Sequence, residues 1–404
     1  MTEAFCILIH YHEIALKGKN RSWFERRLIK NIKRQLSGLP FTKVQLNAAR
    51  IFCFGIDESM WNDYAQRLKK VMGIKHAILM TQVKDDIDTI KSVAAAQLKG
   101  LEFSSFRVSA RRQYKDFHLS SQEINIMVGQ HLQSTYLKPV KLKNADMDVV
   151  IELVKGMAYI GHERIYGFGG LPVKTSEQAI SMISSGIDSP VSSFEMLKRG
   201  VELTYVHFHS APATSRQSIQ NVEEILTVLA GFQIQCRVYM VPLLEIQQKI
   251  MAVAPNKLWV ILFRRAMIKI ASMIAEQLDI PALISGESVG QVASQTLSNI
   301  RATADAADRP ILRPLAGLNK EDIIRIAEKI GTYEISIEPY DDCCSFFVPI
   351  HPETKADLEI VRKTEANIDF GEMFATALKD AEIKTFKHPD YVRKSINSLE
   401  QVSD

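Results

Sequence analysis

The sequence predicts a multidomain protein of mixed α/β and α+β class: two small α+β units, then a doubly wound domain with a parallel sheet. Three observations carry this. From about residue 180, apolar strand-like runs alternate with segments whose apolar residues recur at helical spacing, the pattern of strands joined by crossover helices. Ahead of it, Gly167-Phe168-Gly169-Gly170-Leu171-Pro172 is a Gly/Pro-rich break. Before the break, two stretches each mix a few strands with one or two helices. The expected boundaries are 1–75, 76–165 and 166–404.

In the first unit, Ala4 to His10 reads as a buried strand. Asn20 or Ser22 is placed to cap a helix over about 21–36, where Phe24, Leu28, Ile32 and Leu36 recur every fourth residue. Arg26, Arg27, Lys30, Lys33 and Arg34 lie mostly off that face and read as solvated. A strand over about 43–54, a helix after Asp57 and a strand near 75–82 follow. In the second unit, Asp86 opens a helix towards Leu98, and a strand from Phe103 ends in Arg111-Arg112. Ser120 and Glu123 form a capping signature. Val149–Val154 and Met157–Ile160 pair about Lys155-Gly156. Lys17, Lys19 and Arg21 sit in a loop suited to phosphate contact. Arg107, Arg111, Arg112 and Lys115 interleave with Tyr114 and Phe117, a mix that grips RNA by phosphate contact and stacking. A plain charged loop on an α/β unit is the alternative.

Bulk properties bound the class. With 404 residues, 46% apolar and 24% charged, the chain has a globular composition. No apolar run is long enough to span a bilayer, and Met1-Thr2-Glu3-Ala4 leads directly into a strand rather than a signal peptide. The net charge of +4 is small, so a nucleic-acid surface must be local. Five scattered cysteines form no disulfide framework and fit a reducing cytoplasm. Cys343-Cys344 lacks the second pair that a tetrahedral zinc site needs, so no metal site of protein ligands is expected.

The third domain centres on Ile180-Ser181-Met182-Ile183-Ser184-Ser185-Gly186-Ile187-Asp188-Ser189-Pro190. Met182 and Ile183 run into a tight polar loop, and Val191 to Lys198 continues as a helix. Strand, loop and helix N-terminus aim free N–H groups and the positive end of a helix dipole at one place. Ser184, Ser185 and Ser189 add hydroxyl donors, and Gly186 permits close approach. Pro190 suits a first helical turn. A Walker loop needs G-x-x-x-x-G-K-[ST], and Phe168 and Val173 stand where its glycines belong. The run instead resembles S-G-G-x-D-S, the PP-loop of ATP pyrophosphatases, with Ser185 in place of the first glycine. His207 ends a second strand, Gly286-Glu287 ends another, and a long helix over about 256–278 carries Arg264-Arg265. Ligands of such sheets bind beyond the carboxyl ends of the strands.

These stretches together resemble the tRNA 4-thiouridine synthetase (ThiI) family, from about residue 7 to 350. The resemblance rests on Glu13 to Arg21, Gly169-Gly170-Leu171-Pro172, Ser184 to Val191, Val206 to Ser210, Gly286 to Thr296, Arg313-Pro314-Leu315, Tyr333 to Ile337 and Asp341-Asp342-Cys343-Cys344. It implies a ferredoxin-like domain, a THUMP RNA-binding domain and a PP-loop adenylation domain. It also implies ATP contacts at Met182, Ile183, His207, Phe208, Arg264, Gly286 and Gln295, beside the loop donors Ser184, Ser185, Gly186 and Ser189. Asp188 would organise Mg2+ and pyrophosphate, and Lys320 would serve adenylation. The implied reaction adenylates uridine O4 at position 8 of tRNA and replaces that oxygen with sulfur. Cys344 would carry the sulfur as a persulfide, with adjacent Cys343 as alternate. Cys6, Cys53 and Cys236 lie in strand-like segments and read as core. No cysteine follows Cys344 in a chain that stops at Asp404, so a C-terminal rhodanese-like domain is not expected and a separate cysteine desulfurase would supply sulfur. Oligomeric state stays open, a homodimer included. Two other readings remain: an RNA-binding protein whose PP-loop has decayed, as Ser185 permits, and adenylation of a sulfur-carrier protein for thiamine thiazole synthesis.

Overall fold

The computed structural model describes residues 4–11, 13–114, 117–154, 156–339, 347 and 352–388; Lys115, Cys343 and Cys344 lie outside them. The chain divides into two compact units, Met1–Leu171 and Pro172–Asp404. Among the described residues, no helix is long and apolar enough to cross a membrane.

The first unit contains β1 (Ala4–Tyr11), α1 (Arg21–Gln35), β2 (Lys43–Asn47), β3 (Arg50–Phe54), α2 (Trp61–Lys69), β4 (Ile74–Lys84), α3 (Ile87–Leu98), β5 (Phe106–Arg112), α4 (Ser121–Tyr136), β6 (Met147–Val154), β7 (Met157–Gly161) and β8 (Arg164–Tyr166). They form one sheet in the order β2-β3-β1-β4-β7-β6-β5, with β8 also on β4. β4 is its spine. One edge pairs with β1 from Ala4↔Gln82 to Tyr11↔Ile74. The other edge is shared, β8 taking His76 to Ile78 and β7 taking Thr81 to Lys84. Leu28 and Ile32 of α1 and Tyr64 and Leu68 of α2 bury against Ile7 and Ile9. Ile90 and Leu98 of α3 and Ile124 and Val128 of α4 bury against Val149 and Ile151.

Local signals fix most of these elements. The Asp86 side chain accepts from Thr89 N, and Ser120 and Glu123 complete a capping box. Asn20 stands at the N-cap of α1, yet its side chain makes no capping bond. The single strand expected over 43–54 is a hairpin, turning at Ala48 and Ala49 with φ of 47° and 60°. Two-residue hairpin turns need positive φ at both positions and normally announce themselves with Asn or Gly. Alanines hid this one.

The second unit contains β9 (Gln178–Met182), α5 (Asp188–Lys198), β10 (Glu202–His209), α6 (Gln217–Gln233), β11 (Gln235–Pro242), α7 (Leu244–Val253), α8 (Trp259–Gln277), β12 (Leu283–Ile284), α9 (Leu297–Ala304), β13 (Ile311–Leu312), α10 (Lys320–Ile330), α11 (Tyr333–Ser336), α12 (Leu358–Ala366), α13 (Met373–Lys379) and β14 (Glu382–Lys387). Its sheet runs β13-β12-β9-β10-β11-β14. Five strands are parallel, and β14 closes the edge antiparallel to β11. The chain winds outward from β9 both ways, so the order reverses beside β9, where a crevice opens at the strand ends. Alternation along β9 sends Ile180 to the α8 side and Ser181 towards α5. Buried Ser189, Ser192 and Ser193 let α5 lie close to the sheet: Ser193 meets Ser181 at 2.8 Å and Ser192 donates to the Ser285 carbonyl at 2.9 Å. Cys6, Cys53 and Cys236 are buried, as their strand contexts predict, and burial pushes the Cys53 and Cys236 thiols up to about 12.

His10 and His76 face each other across β1 and β4 with stacked rings 4.4 Å apart. Burial, then the charges of His76 and three arginines, holds His10 down to about 2; burial, then Arg164 and Lys75, holds His76 down to about 4. An unfolded histidine protonates near 6.5, so the unfolded chain takes up protons first and stability falls as pH drops below that value. For His10 the loss at about pH 5 is ~2 kcal/mol. His10→Gln is therefore expected to shrink the stability difference between pH 7 and pH 5 by about that amount in denaturant titrations; an unchanged difference refutes the assignment.

Candidate active site

β9 ends in a bend of the chain held by side chains. Ile183 N donates to the Val206 carbonyl at 2.9 Å, the last tie to β10. The Ser189 hydroxyl accepts from Ser184 N at 2.8 Å and lies 3.1 Å from both Ser184 O and Oγ, closing the loop on itself. α5 starts at Asp188 with no side-chain cap, which leaves its first N–H groups for an anion. Gly286, just beyond β12, lies against this turn: a Cβ there would sit 2.8 Å from Ser189 N and 2.9 Å from Ser189 Cα.

Above the loop is a cavity of about 430 Å³, lined by Met182, Ile183, Ser184, Gly186, Asp188, Ser189, His207, Phe208, Arg264, Gly286, Glu287, Gln291 and Gln295, among others. Of the expected nucleotide contacts, only Ser185 is outside the lining. It is 1% exposed, and its Oγ has no partner among the described residues. His207 is 2% exposed, its Nδ1 3.0 Å from the Ile183 carbonyl. A carbonyl only accepts, so Nδ1 carries the proton and Nε2, buried without a partner among the described residues, is an acceptor. Burial, against the opposing pull of the Ile183 carbonyl, holds this imidazole down at about 4 and hence neutral at pH 7.

Two carboxylates organise the rim. Asp188 accepts from Lys320 Nζ at 2.7 Å and from Gln291 Nε2 at 2.8 Å. Lys320 opens α10, set by Asn319, whose side chain caps Asp322 N at 2.8 Å. A lysine at the positive end of a helix is locally unfavourable, and Asp188 compensates it. Glu287, 5% exposed, bridges Arg264 at 3.0 Å and Arg313 at 2.6 Å. The sequence marks Glu287 only as a polar residue at a strand end, without a role, and does not single out Gln291 and Arg313, although both lie in its motif runs.

The expected RNA contacts of the first unit are differently placed. Lys19 and Arg111 are exposed, and Lys17 lies over the Phe24 ring at 5.1 Å. Arg21 donates to Glu25 at 2.8 Å and Tyr11 at 2.7 Å, Arg107 to Asp148 at 2.7 Å, and Arg112 to the Phe117 and Leu119 carbonyls at 2.7 and 3.2 Å.

A doubly wound sheet with an uncapped helix behind a Ser/Gly loop, cations at its rim and a neutral histidine in its wall defines an α/β protein of the PP-loop class. The family model described as thiamine biosynthesis protein (ThiI) matches residues 174–370, the ThiI ferredoxin-like domain 6–77 and the THUMP domain 84–163. A "Probable tRNA sulfurtransferase" of Thermus thermophilus is 38% identical over 387 residues, 96% of this chain and 95% of the relative. One of Moorella thermoacetica, of the same description, is 40% identical over 380 residues, 94% and 97% of the two chains. A crystal structure of a 4-thiouridine synthetase–RNA complex with bound ATP superposes with a TM-score of 0.86 at 35% identity, covering 95% of this chain and 100% of that one. The chain belongs to the ThiI family.

The contact at Gly286 yields a structural test. Gly286→Ala forces the first turn of α5 away and is expected to cost about 1–3 kcal/mol of stability. Gly317→Ala, where a Cβ meets nothing within 4 Å, is the control and melts like the wild type. Equal melting of both variants would show that the contact is slack.

Proposed function

We propose that this chain is a tRNA uracil 4-sulfurtransferase that uses ATP to activate uridine O4, at position 8 of tRNA, and replaces that oxygen with sulfur. The carrying observation is Asp188 clasped by Lys320 at an uncapped helix N-terminus, in a chain 38% identical over 96% of its length to a relative described as a tRNA sulfurtransferase. Oxide is too poor a leaving group to depart unaided, so O4 must first be converted to a better one. Uracil O4 attacks the α-phosphate, the α–β anhydride breaks, and pyrophosphate departs. The loop N–H groups of Ser185 and Gly186, the start of α5, Lys320 and Arg264 stabilise the charge that builds on the phosphates. Met182, Ile183, Phe208 and Gln295 wall the nucleotide, and His207 offers its free acceptor nitrogen. Mg2+ usually binds through one or two carboxylates together with substrate phosphates, and Asp188 at the loop fits that donor set. A Mg2+ held there by Asp188 would supply neutralisation of phosphate charge.

Sulfur arrives as a persulfide on Cys344 or Cys343, loaded by a separate cysteine desulfurase. It attacks C4 and AMP leaves with the former oxygen; a second thiol then attacks the carrier sulfur, so that the sulfur stays on the base and the two thiols end as a disulfide, which an external thiol reduces. A reducing cytoplasm suits such a carrier. The ferredoxin-like and THUMP parts hold the tRNA, with exposed Lys19 and Arg111 available for phosphate. The burial of Ser185 outside the cavity lining favours a working loop over a decayed one. The family's description also names thiamine biosynthesis, and a second use of the sulfur in thiazole formation is consistent with it.

Incubation with ATP, desulfurase, cysteine and unmodified tRNA is expected to give 4-thiouridine on nucleoside analysis; its absence, with no AMP released, overturns the tRNA-sulfurating reading and leaves the RNA-binding and sulfur-carrier readings. A C343S/C344S variant should release pyrophosphate on tRNA yet make no thiouridine, and full thiolation would remove the persulfide role from both. Lys320→Met should slow pyrophosphate release by roughly 100-fold or more with tRNA affinity unchanged.

A further inference from the structure

Arg313 lies behind the cavity wall rather than in it. Arg264 and Glu287 line the cavity and Arg313 does not. β13 pairs with β12 in the register Ile284↔Leu312, so the residues just past each strand end, Glu287 and Arg313, come together. The Glu287 carboxylate divides between two guanidiniums, one oxygen 3.0 Å from Arg264 Nη1 and the other 2.6 Å from Arg313 Nε. Among the described residues, Arg313 otherwise reaches only the Ile311 carbonyl, at 3.3 Å, and its buried Nη2 has no partner. Burying a guanidinium with one donor unsatisfied is costly, and here the Glu287 carboxylate is what offsets it.

The effect is visible in the charge count. Glu287 beside Arg264 alone is a neutral pair, and a buried carboxylate would draw the Arg264 charge to itself. Glu287 with both arginines carries a net charge of one positive, and Glu287's second oxygen is taken up by a group that cannot reach a ligand. We propose that Arg313 is a positioning residue: by compensating Glu287, it leaves the Arg264 charge free for the phosphates of the bound nucleotide. Glu287 then acts as a hinge pin, fixing the Arg264 guanidinium in the wall without quenching it. This rests on the reading of the cavity as an ATP site.

The charge count separates this role from simple packing, because removing both partners restores the net charge that removing one destroys. In titrations of the full chain with ATP and Mg2+, Arg313→Met (net zero) is expected to weaken binding about tenfold or more. Arg313→Lys, which keeps the charge but not the fork, should recover part of the loss. The double variant E287Q/R313M returns the net charge to one positive and should bind within about threefold of the wild type, a non-additivity that only coupled residues show. In thiolation assays the single variant should raise the KM for ATP while changing kcat little. Wild-type affinity in Arg313→Met, or a double variant weaker than the single one, overturns the proposal. Failure of the wild type itself to bind ATP overturns the ATP reading and this inference with it. Should Arg313→Met not fold, by thermal melting, Glu287→Gln decides: its added net positive charge must hold ATP at least as tightly as the wild type, and weaker binding refutes the role.

Discussion

The close approach of Gly286 to the first turn of α5 is the constraint from which the site of the second unit follows. Two backbones meet there with no room for a methyl group. That proximity is possible because the facing surface of α5 is built from Ser189, Ser192 and Ser193, small enough to admit the strand ends and polar enough to satisfy the carbonyls they bury. It brings the ends of β9 and β12 to one point on either side of a helix N-terminus. Bulky residues along α5 would have spaced the layers at ordinary helix–sheet distance and left the loop N–H groups facing water.

On that frame the site is laid out as a charge pattern with few loose ends. Each rim carboxylate has two partners, Asp188 between Lys320 and Gln291 and Glu287 between Arg264 and Arg313. His207 stays neutral because burial opposes a second proton, while the Ile183 carbonyl fixes the one it has on Nδ1. The wall is therefore neutral where an apolar or base-like surface would rest and cationic where phosphates would lie. In the first unit the opposite economy operates. Arg107, Arg112 and Arg21 are engaged in internal bonds that hold strand ends and loops in place, so their charges are partly committed to the fold.

The sequence was most readable where physics is local. Capping residues, the Ser/Gly bend and the helical spacing of apolar residues each announce themselves within a few positions, and α3, α4, α5 and α8 follow directly. It was least readable where a partner is distant. Nothing near Asp188 points to Gln291 more than one hundred residues on, or near Arg107 to Asp148. The hairpin at Ala48-Ala49 escaped because its turn lacks the residues that usually signal positive φ. β14 escaped because an edge strand exposed on much of its surface carries no apolar run, only the alternation of Glu382 to Lys387. Ser185 reads as a hydroxyl donor from its place in the motif, yet it is buried outside the cavity lining; whether a side chain points into or out of a bend is set by backbone torsions that a motif does not record.

β4 has a further consequence. The ferredoxin-like match ends at residue 77 and the THUMP match begins at 84, which at the level of homology makes two interchangeable modules. Mechanically they are one plate, since a single unbroken strand from Ile74 to Lys84 carries β1 along one border and both β8 and β7 along the other. Evolutionary shuffling or engineered grafting of either module would have to transplant the whole of β4, or leave a raw sheet border exposed to self-association. Heredity and stiffness thus draw the seam in different places.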